Sequence, residues 1–255
     1  MAADSPGDDG LAVLSPDALA ASILQVLAHE TTSYISVVAI DGHYGAGKST
    51  LAKLLCTYWT FPCRQSPLVI STDDFMRFAR RDRDSSQNAC RSHIDWYNLV
   101  RVADVLRGIK RRGDALHLSS LYNHATGDLD RCMTIKPGDH DMIVLEGMYA
   151  AHDSLRRHVD FRILLVADHN TLLNRVLDRD RRERGLSEEY VRQRYNTVNC
   201  SAYEAFVSAS VAQVDLVLDT RNDRLEVRRA STAGAEVVRC CGSRPHLSRL
   251  AMNEP

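Results

Sequence analysis

Five short apolar runs punctuate the chain: "YISVVAID" (34–41), "PLVIS" (67–71), "MIVLE" (142–146), "FRILLVA" (161–167) and "VDLVLDT" (214–220). Each is near-continuous rather than alternating, the pattern of a strand buried on both faces. Between them apolar positions recur at helical spacing. Helices are predicted over 17–29 with Ser15 or Asp17 as cap, from the end of a glycine-rich loop to about Tyr58, from Trp96 to about Arg112 with Gly113 as stop, over 169–184 and over 187–212. Strands alternating with helices predict an α/β fold, a mostly parallel five-stranded sheet with helices on both faces. Ligands of such sheets sit outside the carboxyl ends of the strands.

The remaining stretches carry less apolar pattern. Residues 1–16, rich in Asp, Gly, Pro and Ser, are expected to form a disordered tail, and 228–255 a loosely ordered one. That leaves 17–227 as one domain. "FARRDRDSSQNACRS" (78–92) reads as a mobile polar loop, and "ALHLSSLYNHATGDLDRC" (115–132) as extended and loop-like.

Composition changes the picture little. Of 255 residues, 44% are hydrophobic and 25% charged, ordinary for a globular chain. A net charge of −1 supplies no global field for nucleic acid, so an anionic ligand must be met by local charge. No apolar run approaches the roughly 18 residues of a membrane span, and the acidic start "MAADSPGDDG" is no secretory signal. Seven scattered cysteines without a CxxC fit reduced thiols, hence a cytoplasmic protein.

The chemistry concentrates at strand ends. Gly42, four residues, then Gly47-Lys48-Ser49 follows a strand and opens a helix, the context of a phosphate-binding P-loop and the P-loop NTPase fold. Successive N–H groups of such a loop converge on phosphate oxygens, and the helix N-terminus adds partial positive charge. Gly42, His43, Tyr44, Gly45, Ala46, Gly47, Lys48, Ser49 and Thr50 are thus expected to hold ATP. Lys48 would reach the β- and γ-phosphates and Ser49 would bind Mg²⁺.

A P-loop alone does not separate motor, switch and kinase. No Asn-Lys-x-Asp guanine-reading motif occurs, and a motor needs more chain and partner surface. A kinase needs a carboxylate beside the acceptor hydroxyl and cations around the transferring group. "STDDFMR" supplies the first at the end of the second strand. "NRVLDRDRRERG" supplies Arg175, Arg179, Arg181, Arg182 and Arg184 on a helix able to act as a lid. At about 100° per residue they cannot all face one phosphate, so a solvated face with Asp178, Asp180 and Glu183 is expected for at least half.

The order of P-loop, "STDDFMR", "SHIDWYNL", "LYNHATGDLD", "MIVLEGMYA", "DFRILLVADHNTLLNRVLDRDRRERG" and "AYEAF…VDLVLDT" resembles the uridine–cytidine kinase family, within the phosphoribulokinase, uridine kinase and pantothenate kinase group. The resemblance covers about residues 34–220. It implies an ATP- and Mg²⁺-dependent kinase acting on a small hydroxylated acceptor, and it leaves room for a homo-oligomer. Asp73 falls on the catalytic carboxylate, with Asp74 in a supporting position. Glu146 falls on the acid near Mg²⁺, and Arg175, Arg179 and Arg184 on or beside the lid arginines. Tyr122 matches an aromatic residue at the nucleoside base. His93 and Asp95 match a His-Pro-Asp turn in which Ile94 replaces the proline. Pantothenate kinases share the Tyr-x-His of Tyr122 and His124.

The acceptor side departs from the uridine kinases. Met76 stands where they carry a tyrosine, Ser92 where an Asp holds the ribose hydroxyls, Gly127 in place of a pyrimidine-contacting group, and Leu186 for the last lid arginine. Spare room is expected beside Gly127 and Ser92, with His124 as a new polar group, so uridine and cytidine should be weak substrates.

Overall fold

The computed structural model describes residues 13–30, 35–59, 65–83, 93–199, 201–221 and 225–242, and of residues 28–30, 184 and 242 the backbone alone. The β-branched run ahead of the P-loop forms β2 (Ser36–Gly42), buried throughout. Its Val38 and Ile40 point into one hydrophobic layer, and Val37 and Ala39 into the other. The other four expected strands are β3 (Leu68–Ser71), β6 (Met142–Glu146), β7 (Phe161–Val166) and β8 (Leu216–Asp219). All pair in parallel, in the order β3-β6-β2-β7-β8.

Among the described residues the sheet has seven strands rather than five. Strand β9 (Leu225–Ala230) adds antiparallel to β8, and β1 (Val13–Leu14) antiparallel to β9. Neither advertises itself in the sequence. "LEVRRA" is charged and only partly buried, as edge strands are, and β1 is two residues long. The segment expected as a loose tail from 228 therefore completes β9 and forms a helix, α8 (Thr232–Gly242). Residues 1–12 and 243–255 lie outside the described residues.

Helices α1 (Pro16–Glu30) and α2 (Lys48–Trp59) cover one face of the sheet, and α8 packs with them. Ser15 caps α1, its Oγ accepting from Ala18 N at 3.1 Å. On the other face lie α4 (Leu99–Lys110) and α7 (Ser201–Ser210). The start of α4 is Leu99 rather than Trp96, because Asn98 Oδ1 accepts from Arg101 N (3.1 Å) and so sets the cap. His93–Trp96 instead form a separate 3₁₀ turn.

The helix expected over 187–212 is two helices, α6 (Glu188–Val198) and α7. At Asn199 the backbone leaves the helix, φ −89° and ψ 53°. Its side chain accepts from the P-loop instead, a competition that Asn is prone to win. Among the described residues of the polar loop at 78–92, Arg80–Arg83 form a helical turn, α3; residues 84–92 lie outside the described residues. The stretch at 115–132 becomes an antiparallel ribbon of β4 (Leu116–Leu121) and β5 (Arg131–Ile135). The Arg-rich helix is α5 (His169–Arg184), which Gly185 ends in a left-handed conformation (φ 62°). Among the described residues no helix is long and apolar enough to cross a membrane.

Candidate active site

Strand β2 is flanked by β6 and β7, whose connections leave on either side of it. A crevice therefore opens at its carboxyl end. Here the protein has a cleft of about 990 Å³, to which the P-loop, the ends of β3 and β6, and α5 all contribute.

The P-loop begins with a glycine for a steric reason. Gly42 has φ +146°, and a Cβ there would run into the carbonyl oxygen of Leu165 on β7. Lys48 Nζ donates to the carbonyls of Gly42 (2.8 Å) and His43 (2.9 Å), which hold the ammonium across the mouth of the loop. Burial pushes its pKa down, while the carboxylates of Glu146, Asp73 and Asp41 oppose that shift. Tyr44 through Thr50 line the cleft. His43 is turned away, with Nδ1 3.3 Å from Asn199 Oδ1 and its ring edge-on to Tyr203.

Two residues that sequence reading passed over brace this loop. Asp41 is fully buried and accepts from Gly42 N (2.7 Å), Ala151 N (2.8 Å) and the Tyr203 hydroxyl (2.5 Å). Burial raises its pKa against those bonds. Asn199 Oδ1 accepts from Tyr44 N at 3.1 Å. The one local hint was a polar residue interrupting an apolar run in each case: Asp41 closes the β2 run, and Asn199 sits inside a helical pattern.

Ser49 and Glu146, the expected metal pair, meet on the cleft floor, the Ser49 hydroxyl donating to Glu146 Oε2 at 3.2 Å. Burial raises the Glu146 pKa, opposed chiefly by Lys48. Asp73, at the end of β3, opens onto the same space, its N–H capped by Ser71 Oγ (3.3 Å). Asp74 also lines the cleft but is 5% exposed and paired with Arg131 Nη1 at 2.5 Å. The neighbouring acids thus differ in surroundings, Asp74 being engaged in tying the 72–75 turn to β5.

On the acceptor side, Met76, His93 and His124 line the cleft, as do Trp96 and Tyr97. His93 is buried, with Nδ1 3.0 Å from the Tyr149 hydroxyl and no partner for Nε2 among the described residues. Its pKa falls to about 4, first through burial and then through Arg83, with Asp73 opposing. Tyr122 sits behind the cleft wall, 1% exposed, its hydroxyl accepting from Arg83 Nη2 at 2.8 Å. Asp95 is not brought in, being exposed on a separate shallow depression beside Arg77 and His152. Ser92 lies outside the described residues. The spare room expected beside Gly127 is filled by Arg80. A Cβ on Gly127 would fall 3.0 Å from the Arg80 guanidinium.

The lid divides as its helical phase demands. Arg175 and Arg179 face the cleft, while Arg181 and Arg182 are exposed and Arg182 pairs with Asp178 at 2.8 Å. Arg175 donates to Thr220 Oγ1 (3.1 Å) and Thr220 O (2.5 Å). Asp180, expected on the solvated face, is fully buried. It accepts from the Tyr44 hydroxyl (3.0 Å) and from Arg179 Nε (2.9 Å), and the Arg179 guanidinium lies 4.8 Å over the Tyr44 ring. Helix α5 is thereby tied to the P-loop. The side chain of Arg184 lies outside the described residues.

A parallel sheet with a P-loop on its central strand, an acid at the next strand's end and an arginine helix beyond defines a kinase of the P-loop class. The family model "Phosphoribulokinase / Uridine kinase family" matches residues 37–225, and the chain belongs to that family. Uridine-cytidine kinase B of Dictyostelium discoideum is 24% identical over 191 residues, 74% of this chain and 76% of that protein. Coverage of other curated relatives varies: the Ureaplasma parvum uridine kinase is matched over 83% of its length at 27% identity, the Schizosaccharomyces pombe uridine kinase over 41% at 26%. Among solved structures, a candidate fructose transport system kinase from Silicibacter superposes with a TM-score of 0.62 at 19% identity, covering 80% of this chain and 98% of that one. D-glycerate 3-kinase from Cryptococcus neoformans gives 0.60 at 15%, covering 85% and 98%. At such identities these two likenesses establish the fold alone.

Proposed function

We propose that this protein transfers the γ-phosphoryl group of ATP, with Mg²⁺, to a primary hydroxyl of a small acceptor of nucleoside-like type. The observation that carries this reading is the convergence of Lys48, the Ser49–Glu146 pair and Asp73 on one cleft. Ser49 and Glu146 offer the oxygen ligands that Mg²⁺ prefers, set beside the P-loop that would hold the triphosphate. Mg²⁺, when bound, neutralises phosphate charge.

Asp73 orients the acceptor hydroxyl and takes its proton. The hydroxyl oxygen bonds to the γ-phosphorus, the bond from that phosphorus to the β-phosphate bridging oxygen breaks, and ADP leaves. Lys48, Arg175 and Arg179 stabilise charge on the transferring group. The uridine and uridine–cytidine kinase relatives support a nucleoside-like acceptor. The test is ADP formation across a panel of nucleosides, nucleoside analogues, sugars and hydroxy acids. Acceptor-dependent turnover that requires Mg²⁺ and is lost in Asp73→Asn is the expected result. ATP binding with no acceptor-dependent turnover would reduce the protein to a P-loop binding module.

A further inference from the structure

The acceptor half of the cleft is lined with guanidinium groups that the kinase reading does not use. Arg80 and Arg83, three apart on α3, share a face of that turn and both line the cleft. Neither pairs with a carboxylate among the described residues. Arg80 donates through Nη2 to the His124 carbonyl (2.9 Å), and its Nε is buried without a partner among those residues. Arg83 donates to the Tyr122 hydroxyl and to Met76 Sδ, and its guanidinium lies 4.9 Å over the Tyr122 ring and 5.9 Å over Trp96. Of the nearby acids, Asp82 and Asp128 lie at 3.8 and 3.5 Å from the outward-facing Arg81, Asp74 pairs with Arg131, and Asp73, on the same cleft, is ion-paired with neither Arg80 nor Arg83.

The fold makes space for this. Gly127 (φ +82°) leaves the volume that the Arg80 guanidinium fills, and its carbonyl accepts from Arg80 N at 2.7 Å. Guanidinium groups are donors only, charged at every physiological pH, with a fork matched to the two oxygens of a carboxylate or phosphate. A neutral ribose asks for acceptors as well as donors. Two cations set among neutral partners in a partly desolvated wall gain far more from an anion than from a hydroxyl.

We propose that the acceptor carries, besides the hydroxyl that is phosphorylated, an anionic group, phosphate ester or carboxylate, bound by Arg80 and Arg83. The proposal rests on the kinase reading of the same cleft and names the chemistry of its acceptor.

The test has a binding arm and a turnover arm. With the P-loop filled by Mg²⁺ and a non-hydrolysable ATP analogue, inorganic phosphate and D-glycerate are titrated separately while tryptophan emission is followed, Trp96→Phe identifying the reporter. A saturable signal is expected from at least one probe, and which probe binds tighter separates phosphate ester from carboxylate. That binding should weaken at least tenfold in Arg83→Gln and Arg80→Gln, recover partly in Arg83→Lys and stay unchanged in Arg81→Gln.

The turnover arm uses matched pairs: glycerol against glycerol 3-phosphate and D-glycerate, and pantothenol against pantothenate, with uridine alongside. Anionic members should be preferred, and Arg83→Gln should raise their KM tenfold or more while changing kcat much less. Probe binding that is absent, or indifferent to both substitutions, overturns the proposal. So does a neutral nucleoside that is the best acceptor and insensitive to them. Anion binding that obeys the pattern without any acceptor turnover upholds the anion site and sinks the kinase reading instead.

Discussion

At the scale of single residues, two adjacent acids in different surroundings should behave differently when neutralised. Asp73→Asn should lower kcat by about 10²-fold or more, the usual range for loss of a general base, and leave ATP affinity nearly intact. Asp74→Asn should keep most turnover and weaken the Arg131 tie, costing about 1 kcal/mol because the Arg131 end is partly exposed. Initial-rate kinetics with ATP titration on both variants check this, and a dead Asp74→Asn beside an active Asp73→Asn would exchange the two roles. His93 gives a pH prediction. Its pKa of about 4 in the fold lies below the ordinary 6.5, so the unfolded chain binds its proton first. The stability contributed by neutral, buried His93 is then complete above about pH 6.5 and lost as pH falls toward 4. At 1.36 kcal/mol per pKa unit this amounts to at most about 3 kcal/mol. Denaturant midpoints measured from pH 7 to 4 should fall less steeply in His93→Gln than in the parent chain. That the P-loop, Asp73 and Glu146 would line one cleft was readable because glycine spacing and strand-end acids are local features. That Asp180 is buried and Arg80 occupies the room beside Gly127 was not readable. Both depend on what another element places next to them.

At the scale of elements, α5 and the α6–α7 break act on the P-loop from outside it. Arg175→Ala and Arg179→Ala should each lower kcat more than they raise the KM for ATP, since charge grows as the phosphoryl group transfers. Arg181→Ala and Arg182→Ala, on the exposed face, should stay near the parent rate. Equal losses across all four would mean that only the summed field matters. Asn199→Ala should loosen the loop by leaving Tyr44 N–H without its acceptor. A stability loss of about 1–2 kcal/mol and a raised KM for ATP are expected, measurable by denaturation and steady-state kinetics. The break itself was hidden in the sequence, where 187–212 carries an unbroken helical period. The helical period records packing against the sheet, and it is silent about a side chain that prefers a loop's N–H to its own helix.

At the scale of the whole molecule, the parallel core was legible and its edge was not. Buried strands announce themselves by apolar runs, whereas β9 is half-exposed and charged, and β1 is too short for any period. The edge is nevertheless structural. Val237 of α8 is fully buried in the layer that includes α1, and Val237→Asp should cost about 2–4 kcal/mol. For a domain of this size that lowers Tm by about 2–4 °C per kcal/mol, which calorimetry would read. A Tm unchanged by the substitution would show that α8 adds nothing to the domain.

The pairing of Val13 with Glu226 joins the first described strand to the last. In kinetic terms that is a contact of very large sequence separation, and such contacts form late because the loop they close must first lose its entropy. During refolding, the nucleotide-binding half should acquire its structure while the β1–β9 edge is still open and α8 undocked. The Cys241 thiol, half-buried with its Sγ 3.5 Å from the Ala18 carbonyl oxygen, is placed to time that closure. In pulse alkylation read by mass spectrometry, with exposed Cys132 as reference, Cys241 should gain protection only after ATP-analogue binding has recovered. An enzyme able to grip its nucleotide before its sheet is complete would spend part of its folding time as a ligand-stabilised intermediate, and added nucleotide would raise its refolding yield.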